Sequence, residues 1–431
     1  MDSSVECAGL PPVKTSGFVA RLRPNWSFAT LGRPFWTFFV AAFFFDLGVS
    51  LYFFLFNLFL LNLRFNERAM GIIAGALMMG NVVGTIPVGI LARRVGLQKL
   101  LLICFIAAPV IFICRTAFVW MPAQIGLAFL AGAALSIWPV CFSPTVAALT
   151  TESNRVFAFS IVFATGIGTG ALSGLVGGSI PQIVSHVHGV NSTSGGMRLV
   201  LIGACIVWML GVWPIATLKL AAPAKAERDN RKIFHPFLIR FLPPFAIWSI
   251  VSGSFIPFAP VFFQKQLNMS LQHVGLLFST SQLAQVCAVL ITPLLYRKAG
   301  SIGGIICAQI VAGAAMFALS FSHSAPFAVA WYLFYTAIQF SATPGFYGLL
   351  MSRVPEADRS GASAVQNIVG ALSGAGSAAL TGSLVVRYGY GLIFNVNAVL
   401  AGFAALLLFA CHGSLRSSQT SNATLTETLP H

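Results

Sequence analysis

Apolar residues fill this chain in long runs, and polar residues collect in the short gaps between them. A helix needs about 20 mostly apolar residues to cross a bilayer. Twelve stretches satisfy that length, roughly 35–61, 70–91, 98–118, 122–149, 156–179, 198–219, 237–263, 271–296, 302–322, 325–351, 360–385 and 389–411. They are numbered below as spans 1 to 12. The pattern predicts an all-α membrane protein of twelve transmembrane helices in two pseudo-symmetric six-helix bundles. The bundles cover 35–219 and 237–411. A segment at 1–34 precedes them, a charged loop at 220–236 joins them, and a Ser/Thr-rich tail at 412–431 is expected to be disordered. Gln182 to Gly196 forms a polar, Ser/His-rich loop after span 5.

The two bundles are related by an internal repeat. A shift of 204 residues lays Gly71, Leu91, Arg93 and Gly96 on Gly275, Leu295, Arg297 and Gly300, with Arg94 on Lys298. At the same shift Glu152, Arg155, Ala158, Gly166, Gly170 and Gly178 fall on Glu356, Arg359, Ala362, Gly370, Gly374 and Gly382. Two charged turns that match at one offset are not explained by shared apolar composition. Six spans is an even number, so the halves have the same orientation in the membrane.

Composition sharpens this picture. Hydrophobic residues are 57% of the chain and charged residues only 8%, too few to cover a soluble globule of 431 residues. The formal charge is +15, but the 25 Lys and Arg lie in small groups between spans and form no nucleic-acid patch. Nineteen of them fall on the side that holds both termini and six on the other: Arg64, Arg68, Arg115, Arg198, Lys265 and Arg387. The positive-inside rule therefore puts both termini in the cytoplasm of a cell (inner or plasma) membrane protein. The first 33 residues hold no signal-peptide core, and Phe18 to Trp36 could lie along the inner interface. The eight Cys form no CxxC pair and read as small apolar residues, without a disulfide framework. His186 and His188 have no carboxylate or Cys near them in sequence, a poor metal site. No metal or cofactor is expected.

The turn after span 2 reads Gly89-Ile-Leu-Ala92-Arg93-Arg94-Val-Gly96-Leu-Gln-Lys99. Gly89 and Gly96 permit a tight turn, and the basic residues can pin it among anionic lipid heads. With its counterpart at Arg297, Lys298 and Gly300, this turn resembles the signature loop of the major facilitator superfamily, and the resemblance runs from about Phe35 to Cys411. Arg93 stands where that family usually has Asp. The resemblance implies a transporter that works by alternating access, with these turns as an inner gate. Span 5, with Gly166, Gly168, Gly170, Gly174, Gly177 and Gly178, looks like a degenerate form of the family's antiporter motif, with Ala171 in the Pro place. Close helix packing explains the same glycines.

Of ten acidic residues, Asp46 alone lies deep within a span. A central Asp costs about 2.5–3.5 kcal/mol on insertion and usually faces a cavity or a partner. Ser50 and Asn57 lie within about 40° of it on one helical face. Asp46 is thus the candidate for taking up and releasing a proton or pairing with a cationic substrate group; a structural Asp bonded to a neighbouring helix is the plainer alternative. Other candidates for a cavity lining are Trp138 in span 4, Gln282 and Gln285 in span 8, Tyr332, Tyr335 and Gln339 in span 10, and Gln366 and Asn367 in span 11. Pro257 and Pro260 can break span 7 into a hinge. Arg115, near the end of span 3, is expected to snorkel to the interface.

These residues suit a small organic solute that is uncharged or mildly cationic, carried by a monomer surrounded by lipid and coupled to protons. Efflux is slightly favoured by the glycine-rich span 5; uptake or uniport of a sugar-like metabolite is the alternative. A membrane receptor or scaffold that has lost transport is a third possibility. Nothing resembles a Walker loop, a Ser/His/Asp set or a paired intramembrane acid, so an enzyme or ATP-driven pump is not expected.

Overall fold

A computed structural model describes residues 31–151, 155–187, 193–218, 220, 237–322, 324–354 and 359–426. In hydrocarbon each backbone N–H and C=O must find a partner inside its own segment, which favours helices. The described residues obey this. Span 1 is α1 (Arg33–Asn62), span 2 is α2 (Glu67–Val95) and span 3 is α3 (Leu97–Ala117). Span 4 is α4 (Met121–Leu135) with α5 (Ile137–Ala148), span 5 is α6 (Arg155–Val187), and span 6 is α7 (Thr193–Leu210) with α8 (Val212–Thr217). Span 7 begins as α9 (Phe237–Phe255). At Pro257 and Pro260 it becomes a 3₁₀ turn (Ile256–Phe258), a single α turn α10 (Ala259–Val261) and a π turn (Phe262–Gln266), the break that the prolines announce.

Two long helices each contain two spans. α11 (Leu271–Ser320) bends at Gly300 and holds spans 8 and 9; α12 (Ala325–Arg353) is span 10; α13 (Arg359–Thr426) bends at Gly389 and holds spans 11 and 12. Among the described residues each of the twelve stretches is helical apart from a few end residues, and nine helical segments, one of them spanning the Gly389 bend, are long and apolar enough to cross a membrane. Helix α6 runs past the expected end of span 5, to Val187, and α13 runs past Cys411. Polarity marks where a span leaves the hydrocarbon, not where its backbone stops.

The repeat is visible in backbone detail. Gly96 and Gly300 both have positive φ, 92° and 72°, where a glycine avoids the clash of a Cβ. One turn earlier in each half, Arg64 (φ 63°) lies 204 residues before Asn268 (φ 53°). Asn66 caps span 2 by accepting from the Ala69 N–H, and Ser270 caps span 8 by accepting from the His273 N–H, again 204 apart. The same turn is therefore built twice.

Each half has an aromatic core. In the first, Trp138 stacks on Phe45 with ring centres 4.0 Å apart, and Phe38, Phe105 and Trp208 pack around them. In the second, Phe255 and Phe262 meet Phe394 at 5.0 and 5.1 Å. Arg115 corrects the snorkelling expectation. It is 2% exposed, with its guanidinium 4.3 Å from the centre of the Phe56 ring, so an aromatic face replaces water over the charge. Gln124 Nε2 donates to the Arg115 carbonyl and Tyr52 Oη to the Phe112 carbonyl, which fixes the end of span 3. Large apolar side chains such as Trp213, Val399 and Leu406 point outward, as a hydrocarbon-facing belt requires.

Candidate functional site

The two halves meet at one end. That end carries the 1–2, 5–6, 7–8 and 11–12 turns; the opposite end carries the start of α1 at Arg33. Gly71 of span 2 lies so close to span 11 that a Cβ there would sit 3.1 Å from the Gly382 Cα and press on the Ala378 carbonyl. The symmetric contact joins spans 8 and 5, where a Cβ on Gly275 would sit 2.8 Å from the Gly178 Cα. Both pairs map onto one another by the 204-residue shift. Ser279 Oγ reinforces the second by donating to the Ala171 carbonyl at 2.5 Å.

Two further contacts have no symmetric mate. Asn57 Nδ2 of span 1 donates to the Pro257 carbonyl at 2.7 Å, a carbonyl set free where span 7 breaks. Lys265 Nζ, at the end of span 7, meets Glu67 Oε1, in the first turn of span 2, at 2.6 Å. Glu67 is 3% exposed and Lys265 51%. Phe54 and Phe278 close the space between, ring centres 5.1 Å apart. These contacts join the halves at this end of the bundle.

Asp46 lies at the edge of this seal. Its carboxylate approaches span 5 at Gly166, where a Cβ would be 3.3 Å from Oδ2. It is half-buried, and no hydrogen-bond or ion-pair partner reaches it among the described residues. One turn along span 5, Gly170 abuts the amide nitrogen of Gln282 from span 8. Two predicted polar residues, one from each half, thus meet adjacent turns of the glycine-rich helix. The glycines give span 5 room for a carboxyl, an amide and the close approach of Gly174 and Gly178 to span 8. Such a pair offers a carboxyl and an amide, able to hold hydroxyl or amine groups of a solute and to exchange a proton.

The other candidates separate. Ser50, Gln285 and Gln339 are half-buried. Tyr332 and Tyr335 are buried in the second core, packed on Phe255, and the Tyr335 hydroxyl has no partner among the described residues. Gln366 is fully buried with its amide unpartnered, while exposed Asn367 accepts from the Tyr347 hydroxyl at 3.2 Å. Trp138 lies in the first aromatic core. In the inner turns, Gly89 borders open space and Arg94 is exposed; the side chains of Arg93, Arg297 and Lys298, like His186 and His188, lie outside the described part. Among the described residues no three His, Cys, Asp or Glu side chains cluster as metal ligands. The Glu67–Lys265 pair escaped sequence reasoning; the available signal was an acid and a base at the same membrane face in spans that open and close that face.

The sequence profile described as Major Facilitator Superfamily matches residues 38–378. The chain belongs to the Major Facilitator Superfamily. Its fold recurs in solved members. The nucleoside transporter NupG matches with 16% identity and a TM-score of 0.69, covering 89% of this chain and 99% of that one. A bacterial homologue of the human lysosomal transporter Spinster, inward-facing and unoccupied, matches at 12% identity and TM-score 0.72, over 90% and 98% of the two chains. A D-xylose–proton symporter matches at 19% identity and TM-score 0.68, over 86% and 95%. No curated protein sequence matches. As a superfamily member, the chain is an integral, multi-pass membrane protein.

Proposed function

We propose that the chain is a secondary active transporter that moves a small organic solute across a cell membrane by alternating access, coupled to protons through Asp46. The observation that carries this reading is a half-buried carboxyl, without a partner among the described residues, one turn of span 5 from the Gly170–Gln282 contact between the halves. Its charge changes when it binds a proton or a cationic group. Gln282 on the facing half supplies a neutral donor and acceptor. Few fixed charges line the region, in keeping with an uncharged or mildly cationic solute. With both termini in the cytoplasm, the end where the halves meet is external.

Efflux was the direction favoured by span 5, but packing against spans 1 and 8 accounts for most of its glycines. The D-xylose–proton symporter and a fucose:proton symporter from E. coli among the structural relatives favour uptake symport of a sugar-like metabolite as the second reading. A panel of radiolabelled sugars, nucleosides and amines in proteoliposomes, with and without an imposed pH gradient, tests the proposal. Accumulation of one class only under a gradient supports it. Failure to move any solute in either direction favours the non-transporting receptor.

A further inference from the structure

The turn between spans 1 and 2 borders an open surface groove. Arg64 and Arg68 line this space of about 470 Å³, with Leu63, Ala69, Ile72 and Met121 as apolar walls. Among the described residues neither arginine meets a carboxylate, because the adjacent acid, Glu67, is paired with Lys265.

Two observations mark these arginines as placed for a ligand. The 204-residue repeat builds the same turn again with Asn268 and Gln272 at the equivalent positions, uncharged. Asn suits the positive φ of that site, and Arg does not. A backbone that disfavours Arg64 nevertheless carries it. Secondly, this face of the membrane is depleted of basic residues, yet two of its six fall within five positions here. The peptide N–H groups of the first turn of α2 add to the positive potential. A pair of guanidinium groups matches the tetrahedral oxygens of a phosphate, which they can hold through paired, charge-assisted hydrogen bonds. Ile72 and Met121 give the space an apolar wall beside the arginines.

We propose that this groove binds a phosphate-bearing anion, the phosphate seated between Arg64 and Arg68. A phospholipid headgroup and a soluble organic phosphate share that chemistry, and the apolar wall favours the lipid. The site is distinct from the basic turns at the opposite end.

Native mass spectrometry of the full-length, delipidated protein tests it with three probes: phosphatidylglycerol, phosphatidylcholine and glycerol phosphate. The site predicts retention of phosphatidylglycerol over phosphatidylcholine by about tenfold, the order expected of paired charge-assisted contacts. Arg64→Gln with Arg68→Gln removes the preference, and Arg64→Asn, which copies the second half and keeps the turn, weakens it. Arg387→Gln removes an exposed charge at the same face and leaves the preference intact. Arginine-dependent binding of glycerol phosphate without a phosphatidylglycerol preference upholds the phosphate site and assigns it to a soluble ligand. Equal retention of both lipids with no glycerol phosphate binding, or a preference that survives the double substitution, overturns the proposal.

Discussion

A methyl group at Gly275 should unbalance the closed end. Its Cβ would lie 2.8 Å from the Gly178 Cα, against backbone rather than a flexible side chain, so spans 5 and 8 must move apart. Overpacking of this kind costs about 1–3 kcal/mol. The cost falls on one state only, because the contact vanishes once the halves part. It therefore shifts the closed-to-open ratio by about 5- to 150-fold. Gly71→Ala, at the symmetric contact with Gly382, should act in the same direction. Spin labels at Asn62 and Gln266, on opposite halves at the closed end, report the change by electron–electron distance measurement. The unsubstituted protein should give a short distance and Gly275→Ala a second, longer one. Gly203 has no atom within 4 Å of an added Cβ, so Gly203→Ala is the control. An unchanged distribution for Gly275→Ala, or the same change from Gly203→Ala, would refute the steric reasoning.

Three further outcomes follow from the same contacts. A double-mutant cycle on Glu67→Gln and Lys265→Gln, read with the same labels, should give a coupling of about 1 kcal/mol, modest because Lys265 is half-exposed; zero coupling would make the pair incidental. Asn57→Ala removes the bond to the Pro257 carbonyl and should open the sealed end by about 1 kcal/mol, whereas Asn57→Ala without any change in distance would show that the bond does not hold the halves. Gly96→Ala and Gly300→Ala place a Cβ at φ 92° and 72° and should each lower thermal stability by about 1–2 kcal/mol, while Gly89→Ala, beside open space, should not.

Much of the architecture was legible because a bilayer leaves few solutions. Apolar length located the spans, and the offset of 204 located the halves and the matching glycine turns at Gly96 and Gly300, whereas the matching caps at Asn66 and Ser270 appeared only in the structure. The proline-marked break in span 7 and the face of span 1 bearing Asp46 and Asn57 were also readable, since both follow from local chemistry and helical period. Contacts between spans were not. Span 5 announced close packing, but not that Gly174 and Gly178 face span 8 while Gly166 faces Asp46. Arg115 read as an interfacial charge because its cover, Phe56, belongs to another helix. Trp138 read as a lining candidate for the same reason, its stacking partner Phe45 being in span 1. Glu67 and Lys265, 198 residues apart, each resembled a topology signal until the halves were docked.

The central claim is that Asp46 couples proton movement to solute movement. It is tested most directly with Asp46→Asn in proteoliposomes, by following the solute and internal pH together. The account predicts that the substituted protein still exchanges solute across the membrane but neither accumulates it under a pH gradient nor moves protons when solute is added. Gradient-driven accumulation equal to that of the unsubstituted protein would contradict it.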